Sequence, residues 1–293
     1  MATDVQQEQI LKEAISEINH IATLPEITLK IIELVEDPSS TAQDLHKLIS
    51  IDPALCSRVL KVVNSSFYGL PGQIAAINRA IVMLGLNAVK NIAIAASLAK
   101  LFRGGQITPY FAARDLWDHS IGCAAATKML AEKLGFGLTD EAFLAGLIHD
   151  IGMMVEMQYD RNRLIDILDC VKPNEDGIPS GNMLDKESEI YGVTHQDFGS
   201  ALCEQWKFPK TLISVTKFHH NPAEAPEEHR TLVYLVYVAE RIAADHGCGF
   251  RLDLPNTDID KSAFEKLGLT KEMLAEIREE FPAMLENTAD LLG

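Results

Sequence analysis

The chain has 293 residues, of which 47% are hydrophobic and 23% charged, and a formal net charge of -16. That length supports a core without disulfide staples, and the mixture is that of a globular protein, which excludes a disordered chain. The acidic surplus opposes attraction to phosphate backbones and to anionic lipid, so nucleic acid and membrane surfaces are disfavoured as partners.

Five cysteines, Cys56, Cys123, Cys170, Cys203 and Cys248, stand singly with no C-x-x-C pair. Their odd number argues against a disulfide framework and fits a reducing cytoplasm. The opening MATDVQQEQILKEAISEINH has no basic segment followed by an apolar one, so no signal peptide is expected. Asn87, Lys90 and Asn91 interrupt the most apolar stretch, AIVMLGLNAVKNIAIAASLAK, too soon for a membrane span.

In chain order, nearly every segment carries helical periodicity and clean alternation is almost absent, so an all-α fold is expected. Pro25 opens EITLKIIELVED, Thr41 with Asp44 forms a capping box for DLHKLIS, and Asp52 before Pro53 caps ALCSRVLKVVN. Residues 5–102 thus read as short helices joined by turns such as EDPSS and FYGLPGQ. Residues 41–100 hold six cations against two acids, and two short helices across a turn there invite a DNA-binding reading. The turn lacks the usual glycine, however, and cations spaced along a helix normally form its wet face.

RGGQITP, at 103–109, is the first Gly- and Pro-rich break and divides an N-terminal helical lobe, 1–105, from a second lobe, 106–293, that ends in a helical extension. Beyond it, periodicity predicts helices at 111–134, 140–156, 161–171, 185–191, 195–206, 209–220 and 229–246, then two shorter acidic ones. KPNEDGIPSGN, at 172–182, is the longest polar interruption.

In the second lobe, polar residues fall on apolar stripes. The helix predicted from Thr139, read as its N-cap, carries Phe143, Leu144, Leu147, Ile148, Ile151, Met154 and Val155 around most of its circumference, with His149 and Asp150 inside it. A carboxylate buried without partners forces a pKa shift or a compensating cation. In DLWDHSIGCAAATKML, His119 shares the inward stripe with Leu116 and Cys123, and Asp115 lies one turn earlier. In THQDFGSALCEQW, Thr194 and Asp197 look like a cap pair, and His195 lines up with Phe198, Leu202 and Trp206. In PKTLISVTKFHHNP, His219 follows Leu212 and Val215, with His220 beside it, where a C-terminal cap would also explain it. Glu240 extends the stripe of Val233 and Tyr237; an ion pair with Arg241 or Arg114 is the competing explanation. Five helices thus present imidazole or carboxylate to the core, a donor set that suits zinc, iron, manganese or nickel. His20, His46, His229 and His246 stand in polar or terminal contexts and read as surface residues.

These segments resemble the HDOD family, a branch of the HD superfamily whose HD-GYP members hydrolyse cyclic dinucleotides. The resemblance runs from about Leu24 to Gly247, through LPEITLKIIELVEDPSSTAQDLHKLISIDPALCSRVLKVVNSSFYGLP, AINRAIVMLGLNAVKNI, WDHS, EAFLAGLIHDIG, HQDFGSALCEQWKFP and HH. It implies an N-terminal helical lobe packed on an HD-like bundle, in a family of bacterial signalling proteins many of which have lost the metal site. His119, His149, Asp150, His195, His219 and His220 match positions where HD phosphohydrolases place metal ligands. Asp115 falls where some HD-GYP proteins have an extra ligand, and Glu240 where the superfamily usually has Asp. The phosphate-contacting lysine of HDxGK is replaced by Met153, and HHxxxDGxGYP reads HHNPAEAPEEH.

The resemblance therefore implies a cytoplasmic, bacterial regulatory module that retains one or two divalent transition-metal ions and acts on a protein partner without catalysis. A metal-dependent phosphohydrolase, for instance a phosphodiesterase of cyclic dinucleotides, is the competing reading, and a small phosphorylated ligand is compatible with it. Such a reaction needs cations or N–H donors beside the metal, and Arg114 and Lys217 are the nearest basic candidates.

Overall fold

Local capping fixes the N-terminal helices. In the structure, a computed structural model that describes residues 3–292 apart from 22–25, 38, 66–67, 100, 103 and 176, Thr41 and Asp44 form both halves of the capping box that opens α3 (Ala42–Ile51). Asp52 accepts the N–H groups of Ala54 and Leu55 at 2.9 and 3.0 Å, opening α4 (Pro53–Val63). Pro25 lies outside the described residues; α2 runs Glu26–Glu36. With α5 (Ile77–Leu84) and α6 (Leu86–Leu98), these helices share one core, and α6, buried on nearly every face, packs on α2, α4 and α5.

A short antiparallel hairpin, β1 (Gln106–Thr108) and β2 (Phe111–Ala112), follows at the Gly-rich break. Then come α7 (Ala113–Lys133), α8 (Thr139–Ile148), α9 (Ile151–Tyr159), α10 (Arg161–Cys170), α11 (Met183–Ile190), α12 (His195–Gln205) and α13 (Lys210–Phe218). A 3-10 turn at Pro222–Glu224 leads to α14 (Arg230–Asp245), α15 (Lys261–Leu267) and α16 (Lys271–Leu292). Among the described residues every other regular element is a helix, so the all-α class holds. None of the described helices is long and apolar enough to cross a membrane.

Helix α7 is the hub and packs on α8, α14 and α16, while α6 reaches across to α8. The first helix, α1 (Asp4–Ile21), packs on α9 and α12, so part of the N-terminal hundred residues covers the second half of the chain.

Three expectations change. The helix expected over 140–156 is two helices, interrupted at His149 and Asp150. Thr139 is the first residue of α8, and no side chain caps that end. The last acidic helix is not short: α16 has 22 residues, contains Pro282, and packs on α7 and α4.

Candidate metal centre

Gly152 sets how closely two helices approach. A Cβ at this position would lie 1.8 Å from the carbonyl oxygen of His195 and 2.7 Å from the Gly199 nitrogen. The absence of a side chain lets α9 run against α12 and brings His195 to Asp150. Between α8 and α9 the chain turns, with Asp150 at φ -96° and ψ 18°.

The imidazoles are oriented by what their Nδ1 atoms touch. Nδ1 of His149 meets the Gly146 carbonyl at 2.8 Å, Nδ1 of His119 the Cys248 carbonyl at 3.2 Å, and Nδ1 of His219 the Thr216 carbonyl at 3.1 Å. Carbonyls only accept, so each Nδ1 carries the hydrogen and each Nε2 turns inward with a lone pair. His195 is held by Glu187, whose carboxylate accepts from Nδ1 at 2.8 Å and from the His195 backbone N–H at 3.0 Å.

The inward nitrogens face one another. Nε2 of His119 is 3.3 Å from Nε2 of His149; Nε2 of His195 is 3.3 Å from that of His219 and 3.2 Å from that of His220. Opposed lone pairs repel unless a proton or a cation lies between them. Two nitrogens bound to one tetrahedral ion at about 2.0–2.1 Å would stand about 3.3–3.4 Å apart, so the spacing fits a metal.

Asp150 lies between the two imidazole groups. Its Oδ1 is 3.3 Å from His219 Nε2 and 3.6 Å from His195 Nε2, while its Oδ2 is 3.3 Å from His149 Nε2 and 3.7 Å from His119 Nε2. Neither oxygen has a directed hydrogen bond, and the same is true of Glu240 Oε1 and of both oxygens of Asp253 and Glu156. Orphaned, buried carboxylate oxygens are costly, and a cation is the partner their chemistry calls for.

Electrostatics follow from burial and crowding. Burial alone would raise the Asp150 carboxyl, but the imidazoles of His149, His219 and His195 hold it well below the usual carboxylate range. Burial and the neighbouring Glu187 push Glu156 well above its ordinary value. Burial lifts Glu240 to about 7 against the opposing pull of His220. Within each facing pair the shifts are opposite. Burial opposes protonation of His195, yet Glu187 raises it to about 10, while burial and His220 lower His219 to about 3. Burial also opposes charge on His149, which Asp150 and Cys123 nevertheless raise, whereas burial and His149 lower His119. One shared proton per pair is the metal-free way to relieve the lone-pair repulsion.

The structure gathers His119, His149, Asp150, His195, His219, His220 and Glu240 into one buried cluster, with the His220 side chain 7% exposed and Glu240 wholly buried. Asp115 does not join it. Its carboxylate accepts the Ala112 N–H at 2.7 Å and caps α7, so its oxygens serve the helix end. The ion pair considered for Glu240 forms on one side only, where Arg241 reaches Oε2 at 3.3 Å. Arg114 is exposed and pairs with Asp118, and Lys217 pairs with Asp197, so neither basic candidate serves the cluster.

Among the histidines read as surface residues, His46 and His229 are half-buried. His246 is packed, its two ring nitrogens at 2.9 and 3.1 Å from the carbonyls of Ile242 and Arg278. The His20 side chain lies outside the described residues.

Three buried acids escaped the reading of the sequence. Glu156 stood as an acid inside IGMMVEMQY, a visible signal; Glu187 was hidden in the polar MLDKESEI, and Asp253 in the loop segment RLDLP.

The HDOD domain model matches residues 21–222. An uncharacterized protein of Treponema pallidum (strain Nichols) is 28% identical over 237 residues, which is 80% of this chain; the chain spans only 44% of that relative's length. Among solved structures, an HDOD domain protein of unknown function from Geobacter sulfurreducens superposes with a TM-score of 0.70 at 24% identity, covering 94% of this chain and 98% of the other. A proposed phosphohydrolase of Shewanella amazonensis SB2B gives 0.72 at 22% identity, covering 96% and 98%. A proposed signal transduction protein of Marinobacter aquaeolei VT8 gives 0.74 at 22% identity, covering 98% of this chain and 64% of that one. At these identities the likeness is one of fold.

Proposed function

The chain belongs to the HDOD family, and on that footing we propose that it is a bacterial regulatory module whose helical core is held by one or two divalent transition-metal ions and which acts through a protein partner. The two-sided setting of Asp150 carries this reading, because each carboxylate oxygen faces a different group of imidazoles. His195, His219, His220 and Asp150 would hold one ion, and His119 and His149 with the same carboxylate a second, with Glu240 alongside. Bound there, such ions supply positive charge against the buried acids, and the binding energy becomes folding energy. Iron, manganese, zinc and nickel all accept this donor set.

Hydrolysis is the weaker reading. Apart from the edge of His220, the cluster residues expose at most 1% of their surface, so a phosphodiester has no open face to approach. Met153, at the position of the phosphate-contacting lysine of HD-GYP enzymes, is fully buried. Catalysis at a phosphodiester needs charge aimed at the reacting oxygens, and Arg114 and Lys217 are turned to other acids. Five free cysteines fit a cytoplasmic setting.

The test is metal-reconstituted protein incubated with bis(4-nitrophenyl) phosphate and with cyclic dinucleotides. Turnover no greater than that of Asp150→Asn is expected. Hydrolysis that the wild type performs and Asp150→Asn loses would replace the module with a phosphodiesterase.

A further inference from the structure

Beyond the residues matched to the family, the chain returns to the centre. After α14, the segment Cys248–Leu254 crosses the start of α7. The Cys248 carbonyl accepts from His119 Nδ1 at 3.2 Å, the Phe250 N–H donates to the Asp115 carbonyl at 3.0 Å, and the Phe250 ring stands edge-on to His119 with centroids 6.3 Å apart. Gly249 permits the crossing: its φ is +59°, and a Cβ there would lie 2.0 Å from the Asp115 carbonyl oxygen. A turn closed by Leu254 N–H to the Arg251 carbonyl at 3.1 Å then places Asp253 between the buried Leu252 and Leu254.

Asp253 is 1% exposed, and neither of its carboxylate oxygens has a hydrogen-bond partner. His220 Nε2 lies 3.4 Å from Oδ2, and ligand atoms of Asp150, His220, Glu240 and Asp253 all fall within 4.8 Å of one another. His220 is the imidazole that faces both Asp253 and Glu240, at 3.4 and 3.7 Å, and one imidazole cannot neutralise two buried carboxylates in a dry interior. Arg241 takes only Oε2 of Glu240 and leaves Oε1 unpartnered.

We infer that Asp253 is a further metal ligand, contributed by this strap, and that with Glu240 it makes one end of the centre oxygen-rich and suited to a harder divalent ion such as Mn2+. The inference rests on the metal reading above and adds a consequence to it. Cation binding ties the strap across α7 to the end of α13, so occupancy of the centre is felt by the strap.

The experiment is a Mn2+ titration of the full chain, with free Mn2+ read by electron paramagnetic resonance, on wild type and Asp253→Asn, together with amide hydrogen exchange. The variant is expected to bind Mn2+ at least tenfold more weakly, and to melt no lower than wild type without metal, because a buried, uncompensated charge has been removed. In the wild type, Mn2+ is expected to slow exchange across residues 248–254, a readout that does not depend on the variant folding. Unchanged affinity in the variant, or Mn2+ bound by wild type with no added protection of the strap, would overturn the ligand role. A variant that melts lower without metal and still binds Mn2+ as wild type does marks a structural ion pair with His220 instead. If wild type takes up no Mn2+, Fe2+ or Zn2+, the metal reading itself falls, and Asp253's role with it.

Discussion

Gly152 and the carbonyl of His195 are in such close contact that a methyl group on Gly152 would sit 1.8 Å from that oxygen. The glycine after the His-Asp pair is thus a packing requirement of the α9–α12 crossing that presents His195 to Asp150. Gly152→Ala is expected to cost about 3 kcal/mol or more, since backbone atoms must part to admit the methyl. Urea denaturation measures this, and a loss under about 0.5 kcal/mol would mean that the two helices separate freely.

Glu187 orients His195 through two contacts, to Nδ1 and to the backbone N–H. A carboxylate behind a ligating imidazole fixes its tautomer and raises its basicity. Glu187→Gln is therefore expected to weaken metal affinity by about 10–100-fold while the helices stay folded. Calorimetric titration of both proteins with Zn2+ provides the check; equal affinities would reduce Glu187 to a helix anchor.

The capping box at α3 gives a pH-dependent contribution among the N-terminal helices. Hydrogen bonds from the Thr41 hydroxyl and backbone N–H hold the Asp44 carboxyl below its ordinary value. The lowered folded-state pKa means that this contribution is present above the unfolded value, about 3.9, and is lost as pH falls through the folded one. Thr41→Ala is thus expected to be less stable than wild type at pH 7, with the gap narrowing at pH 3. Denaturant midpoints at the two pH values test this, and a gap that widens in acid would contradict it.

Legibility in the sequence followed the range of the forces. Capping is local chemistry, so the boxes at Thr41 and Thr194 could be read from four residues each, and both form. The imidazoles could be placed inward because their neighbours have helical periodicity. The break at His149 and Asp150 left no such mark: Ile148, Ile151 and Met154 keep the apolar pattern running through it. Glu187 and Asp253 are buried by segments whose own composition is polar or aperiodic, and only the tertiary approach of α11 and of the strap puts them inside. Nor does an amphipathic helix name its partner, which is why α1 could be recognised as a helix without revealing that it covers α9 and α12.

The central claim is that cations lie between the facing imidazoles. Protein reconstituted with Zn2+, Mn2+ or Fe2+ and then dialysed is to be assayed for bound metal, and its crystals measured for anomalous scattering at the metal edge. The account predicts one or two divalent ions per chain, with density peaks about 2.0–2.3 Å from Nε2 of His195 and His219 or of His119 and His149. Metal-free protein after that treatment, with the same histidine pairs closed by hydrogen bonds alone, would contradict it.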